Sequence, residues 1–226
     1  MLAAGQQGPS GHAREAFTTL CEAYWYPLYA FLRGRGYSPA DAEDLTQAFF
    51  ALLLEKQVVR QADPARGRFR SFLLKALQNF AANERARHAA AKRGGGVPAL
   101  SLEFDQAEGR LCLEGATTDT PERAFDRRWA LTLLARVMSR LKDDAVQQSK
   151  EEQFDTLKPY LTGDEPRLSY FDTASNLGVS EGAVKVAVHR LRRKFRDILR
   201  DEISQTVSSH AEIEDELRHL WTSVGR

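Results

Sequence analysis

With 226 residues, 42% of them hydrophobic, and a net charge of +1, the chain can bury the core of one large or two small domains and is expected to be soluble and cytoplasmic. No apolar run approaches the length of a membrane span, and residues 1–10 lack the charged start and apolar centre of a signal peptide, so neither membrane insertion nor secretion is expected. Cys21 and Cys112 show no framework spacing, and the five histidines make no ligand pattern with them. The expectation is two reduced, structural thiols, no metal and no cofactor.

In chain order, Phe17, Leu20, Cys21, Tyr24, Leu28, Phe31 and Leu32 recur at helical spacing, with Pro27 expected to kink or break the helix. Ser38-Pro39-Ala40-Asp41 joins an N-cap, a proline at the first helical position and an acid three residues after the cap. A second helix therefore starts there and carries Ala42, Leu45, Phe49, Leu52 and Leu53. After a turn-rich loop at 63–67, a third helix places Phe69, Phe72, Leu73, Ala76, Leu77 and Phe80 on one face. The glycine run at 94–96 ends it, and residues 96–120, which mix Pro, Gly and acids, read as a flexible acidic linker. Thr120-Pro121-Glu122 restarts a helix with Phe125, Trp129, Leu133, Val137 and Leu141 in register, and a further helix holds Phe154, Leu157 and Leu161. No strand pattern stands out, so the predicted fold class is all-α, two small helical domains followed by a C-terminal helix.

Between Tyr170 and Arg196 the pattern is that of a helix-turn-helix. Ser169 and Asp172 can form a capping box at its start. With Ala174 at the small-residue position, Gly178 falls on the turn, and Leu177, Val179 and Val184 fall on positions expected to be buried. Ser180 is an N-cap for the second helix, which is expected to expose Ser180, Glu181, Ala183, Lys185, Val186, His189 and Arg190 and to continue into Arg192, Arg193, Lys194 and Arg196. A helix of this kind can read a major groove and grip phosphates; the plainer reading is an amphipathic hairpin with a solvated basic face.

The small net charge averages over segregated blocks. Residues 60–93 carry nine Lys or Arg against two acids, and 185–200 carry seven against one, while 103–126 carry seven acids against two Arg. Two basic surfaces joined by an acidic connector suit two contacts with one polyanion. On the second helix, Glu43, Asp44 and Gln47 form a polar ridge opposite Leu45, Phe49 and Leu52, suited to a basic helical partner or simply to water, while Asp41 favours the helix dipole. On the third helix, Ser71, Lys75, Gln78 and Arg85 point outward, with Asn79 and Asn83 at the border of the buried stripe. Amides beside cations suit bases as well as phosphates.

The order Asp41-Ala-Glu-Asp-Leu-Thr-Gln47, Phe69-Arg-Ser-Phe-Leu-Leu-Lys75, Gln78-Asn-Phe-Ala-Ala-Asn83 and then the helix-turn-helix resembles bacterial sigma-70 family initiation factors, of the small extracytoplasmic-function (group IV) type. The resemblance implies a region 2-like domain at 14–95, which docks on polymerase and melts the downstream promoter element, the linker at 96–120, a region 4-like domain at 121–204, which reads the upstream element, and an extension at 205–226 that lies outside the pattern. Carried over by position, Asp41, Glu43, Asp44 and Gln47 would bind core RNA polymerase through its β′ coiled coil, with the β flap a further expected contact. Arg66, Arg68, Lys75, Gln78, Asn79 and Asn83 would face the unpaired promoter strand, helped by the loop 57–68. Ser180, Glu181, Ala183, Lys185, Val186, His189, Arg190 and Arg193 would meet duplex promoter DNA. Phe72 stands where the family often has Trp, Gln78 where a basic residue is common, and Val186-Ala187 where a polar-basic pair is usual, which bears on the promoter read rather than on the function. An anti-sigma protein or another regulator is a possible further partner.

The chain has no glycine-rich phosphate loop, nucleophile motif or metal constellation, so it is expected to act by binding and not as an enzyme. The alternatives are a stand-alone helix-turn-helix regulator with a helical effector or dimerisation module, and an interaction protein whose basic faces serve acidic protein partners. Ser209 and Glu212 can cap a last helix whose Ile213, Leu217, Leu220, Trp221 and Val224 form an apolar stripe, with Glu212, Glu214, Asp215 and Glu216 toward its start. Two roles fit that stripe: completing the core of the second module, or folding back so that the acids cover a basic DNA-binding face.

Overall fold

The computed structural model describes residues 11–55, 68–90, 104–114, 119–161, 169–205, 207 and 210–225, with side chains described for all of these except 11–16, 87–90, 105 and 210–211. Arg66, most of the loop 57–68 and Ser209 lie outside the described residues. The elements are α1 (Gly11–Gly34), α2 (Pro39–Glu55), α3 (Phe69–Ala90), α4 (Phe104–Glu114), α5 (Pro121–Gln147), α6 (Glu151–Leu157), a 3-10 turn (Lys158–Tyr160), α7 (Tyr170–Leu177), α8 (Glu181–Ser204) and α9 (His210–Val224). Among the described residues there is no strand, and the fold is all-α. None of the described helices is long and apolar enough to cross a membrane.

The chain divides into two compact units, residues 1–132 with 205–226, and residues 133–204. The division falls inside α5, twelve residues after the expected start of the second domain, and α9 is grouped with the first unit. In that unit Tyr24, Leu28, Phe31 and Leu32 of α1 are buried with Phe49, Phe50 and Leu53 of α2, Leu73 and Leu77 of α3, and Phe125 and Trp129 of α5. The Phe31 and Phe125 rings meet edge-on at 6.5 Å, which ties the start of α5 into the same core as α1. Each such fully buried side chain contributes about 1.5–3 kcal/mol. Helix α1 runs unbroken through Pro27, so the expected break does not occur. Pro27 is itself buried among core residues on both sides, and tertiary packing there outweighs the lost backbone hydrogen bond. Ser38 accepts the Asp41 amide at 3.1 Å and donates its hydroxyl to the Asp41 carboxylate at 2.7 Å, the cap that starts α2.

The stretch 96–120, expected as a linker, contains a docked helix. Phe104 of α4 is buried, 5.5 Å from the Trp25 ring and 5.2 Å from the Tyr29 ring, and Ala107 is buried with it. Its acids provide the rest of the attachment. Glu108 takes hydrogen bonds from Tyr29 and Arg33 at 2.7 Å, and Glu114 takes them from Tyr26 and Arg128 at 2.7 Å. Arg33 is foremost in holding the Glu108 carboxyl below its ordinary range. At Glu114 burial pushes upward, but the hydrogen bonds from Tyr26 and Arg128 outweigh it and the net shift is down. Cys21 is in the core while Cys112, on α4, is exposed, so only the first thiol is structural.

In the second unit Leu157, Tyr160, Ala174, Val184 and Val188 form a buried cluster, with Tyr170, Leu177, Ala187 and Leu191 packed around it. Phe154 of α6 is buried as well. The Tyr160 hydroxyl and Thr173 Oγ1 are 2.8 Å apart inside this core. Arg136 and Arg140 from the second half of α5 hold the buried Glu202 of α8 at 3.0 and 2.9 Å, pinning the end of α8 to α5.

Candidate nucleic-acid interface

The turn between α7 and α8 follows from a few residues. Ser169 and Asp172 form a complete capping box at the start of α7. At its end the Gly178 amide donates to Ser175 O and the Val179 amide to Ala174 O, the paired bonds of a Schellman motif. Gly178 is left-handed at φ 64°, and a Cβ built on it would meet nothing within 4 Å. The glycine is therefore required by its dihedral and not by crowding from neighbouring atoms. Val179 is corrected too: it is 45% exposed, because the reversal at Gly178 carries the chain out of the core before α8 begins. Ser180 then caps α8, its oxygen accepting the Ala183 amide at 3.2 Å.

Val184 and Val188 fix which side of α8 faces inward. Ser180, Glu181, Ala183, Lys185, Val186, His189, Arg190 and Arg193 are all exposed on the remaining surface. Glu181 holds Lys185 Nζ at 2.6 Å, one turn apart on that face, and Lys185 also lies 5.6 Å from the Tyr170 ring. The Glu181 contact is the main reason that the Lys185 ammonium titrates above its usual range. Two members of the basic run are committed elsewhere. Arg192 donates from Nε and Nη2 to the Tyr160 carbonyl at 3.1 and 3.0 Å, closing the 3-10 turn, and Lys194 pairs with Asp144 at 2.8 Å.

In the first unit Ser71, Lys75, Asn79, Asn83 and Arg85 of α3 are exposed. Asn79 and Asn83 thus sit in the open rather than at the edge of the buried stripe, since Leu73, Leu74, Leu77 and Ala81 define that stripe. Gln78 is half-buried, with its amide 3.4 Å from Glu122 of α5, and the Arg85 guanidinium stacks 4.4 Å from the Tyr37 ring. On α2, Asp44 is exposed, but Glu43 and Gln47 are half-buried and share a hydrogen bond of 3.3 Å. The side opposite them is Ala42, Thr46, Phe49, Phe50 and Leu53, with Leu45 and Leu52 only partly covered. Asp41 is committed to the cap.

At the head of α3 is a cluster that the sequence did not reveal. Arg70, which composition counts as surface charge, is 2% exposed and lies over the Trp129 ring at 4.8 Å. Its Nε donates to Asp126 Oδ1 at 2.9 Å and its Nη1 to Glu216 Oε2 of α9. Burial pulls the Arg70 pKa down and Asp126 opposes it, so the guanidinium keeps its charge. The other oxygen of Glu216 makes an ion contact with Arg68 Nε at 3.3 Å, while Arg68 Nη1 is 3.2 Å from His219 Nδ1. His219 Nε2 in turn is 3.1 Å from Asp126, and burial, followed by the Arg70 charge, holds its pKa below the usual histidine value. One signal could have found this cluster: Arg70 and Glu216 occupy the 3–4 spacing of buried residues on their own helices, with Leu73, Leu74 and Leu77, and with Ile213 and Leu220. Because Glu216 turns inward there, Trp221 lies on the flank of α9 and is 51% exposed, against expectation. No family model, curated protein or solved structure matches this chain.

Proposed function

We propose that this chain is a sigma factor of the sigma-70 family, extracytoplasmic-function type, which binds core RNA polymerase and directs promoter recognition and opening without catalysing bond chemistry itself. The observation that carries the reading is the second helix of the helix-turn-helix: a capped helix behind a left-handed glycine, its inner side anchored by Val184 and Val188, its outer side presenting Lys185, His189, Arg190 and Arg193. In this reading Asn79, Asn83 and Lys75 of α3, which are exposed, serve the unpaired strand, and the exposed Asp44, with the half-buried Glu43 and Gln47 beside it, serves a basic coiled coil such as that of β′. The β flap and a separate anti-sigma protein are further partners within the same reading.

The deciding experiment is run-off transcription with purified core polymerase, genomic fragments and the full chain. The expected result is a transcript with a defined start that depends on the chain. Binding of duplex DNA without capture of core polymerase would instead identify a stand-alone regulator. The two nucleic-acid faces are also separable: Lys185→Ala or Arg190→Ala weakens binding to the upstream duplex, whereas Asn79→Ala or Asn83→Ala spares it and lowers the yield of open complex. All four are exposed positions, so the fold tolerates the changes. Equal loss of duplex binding in all four variants refutes the division.

A further inference from the structure

The outward side of α8 carries apolar side chains among its polar ones where a recognition helix enters a groove. Ser180 Oγ accepts the Ala183 amide and the Glu181 carboxylate holds Lys185, so the first turn's polar side chains are each engaged within the protein, while His189 is exposed one turn beyond Val186. Between them and Arg190 lie two exposed apolar residues, Ala183 and Val186, one turn apart on the same face. Val186 is 50% exposed, although Val184 and Val188 beside it in sequence are buried. A valine there serves neither the core nor the helix, for which alanine is the better former. The only apolar group that a base pair presents in the major groove is the C5-methyl of thymine.

We propose that Val186, with Ala183 beside it, reads the 5-methyl group of a thymine in the upstream promoter element, so that part of the sequence preference comes from an apolar contact and not from hydrogen bonds to base edges. Lys185, Arg190 and Arg193 flank this ridge and supply phosphate contacts that carry no sequence information. The inference rests on the reading above at one point only, that α8 enters a duplex.

Selection of bound duplexes from a randomised pool by the full chain, alone and with core polymerase, provides the probe. Each thymine of the selected duplex is then replaced by deoxyuridine, which removes the methyl and nothing else. The expected result is a loss of about fourfold in affinity, the transfer value of one methyl-sized group, at one or two positions and none elsewhere. Val186→Ala binds the thymine duplex more weakly by a similar factor and no longer distinguishes thymine from uracil at those positions. Val186→Thr, which keeps one methyl, falls between and replaces the alanine variant should that fail to fold. A wild-type chain insensitive to every deoxyuridine overturns the proposal without any variant, as does a folded Val186→Ala that still discriminates. A pool yielding no preferred duplex under either condition overturns the reading of α8 itself, and the proposal with it.

Discussion

Replacing Glu216 by alanine tests the cluster at the head of α3. The substitution leaves the Arg70 guanidinium, 2% exposed, with Asp126 as its remaining carboxylate partner and Nη1 without an acceptor. Breaking a buried pair by removing one member costs about 3–5 kcal/mol, mostly the penalty of the charge left behind. Asp126 still neutralises Arg70, so the lower end applies, and the expected loss is about 3 kcal/mol. Solvent screening brings little discount, because the Glu216 side chain is only 6% exposed. For a chain of this size that corresponds to a fall of about 6–12 °C in melting temperature. Urea unfolding of the full chain is the assay, followed by tryptophan fluorescence, since Trp129 lies directly under Arg70. Glu216→Gln keeps an acceptor and should lose about half as much. Exchanging both partners for apolar residues, Arg70→Met with Glu216→Leu, should recover most of the stability. A loss below about 1 kcal/mol for Glu216→Ala, the size of an exposed pair, would refute the reasoning and show that α9 is not docked on α3 in solution.

Gly178→Ala should destabilise the second unit by about 1–2 kcal/mol through its left-handed dihedral, and Gly178→Asn by less; equal melting temperatures for wild type and Gly178→Ala would contradict this. The Glu108 carboxyl titrates below its ordinary value of 4.5, so the docking it provides is fully present above that value and is lost as the pH falls through the lower folded value. Hydrogen exchange of residues 104–114 should therefore accelerate below pH 4.5, before global unfolding, and pH-independent protection there would count against the carboxylate attachment. Burial pushes the Cys21 thiol up to about 12, whereas Cys112 is exposed, so a thiol reagent at neutral pH should titrate one cysteine in the native chain and two after denaturation.

Local pattern carried most of the helices, because caps and apolar spacing are short-range signals. Ser38, Ser169 and Ser180 start α2, α7 and α8 where the sequence placed them, and Ala174 and Val184 meet in the core of the second unit. Helix α4 was not legible for a physical reason. Among its described side chains only Phe104 and Ala107 are buried, and its docking depends on Glu108 and Glu114 meeting tyrosines and arginines 14 to 88 positions away in the chain. Apart from Glu114 with Arg128, no local window contains both halves of such a pair. Arg70 and Glu216 were missed differently. Their helical positions point inward, but a charged residue is by rule expected at the surface, and that rule fails wherever two charged residues bury each other.

The same distinction governs how much positive charge is available to a phosphate backbone. In the block 185–200, Asp144 offsets the charge of Lys194, and Arg192 keeps its charge but is oriented toward the Tyr160 carbonyl, so the run of basic residues overstates how many side chains can reach outward to a phosphate. In the block 60–93, Arg70 is buried and Arg68 faces the Glu216 carboxylate, while Arg85 stacks on Tyr37. Lys75, Lys185, Arg190 and Arg193 are the exposed cations that the proposed contacts rely on. Arg193 is held only loosely, 3.9 Å from Asp197, and both side chains are largely in water, so a phosphate can replace that partner at little cost. The paired arginines build the units, and the exposed cations between them are the ones on which the proposed nucleic-acid contacts of each unit depend.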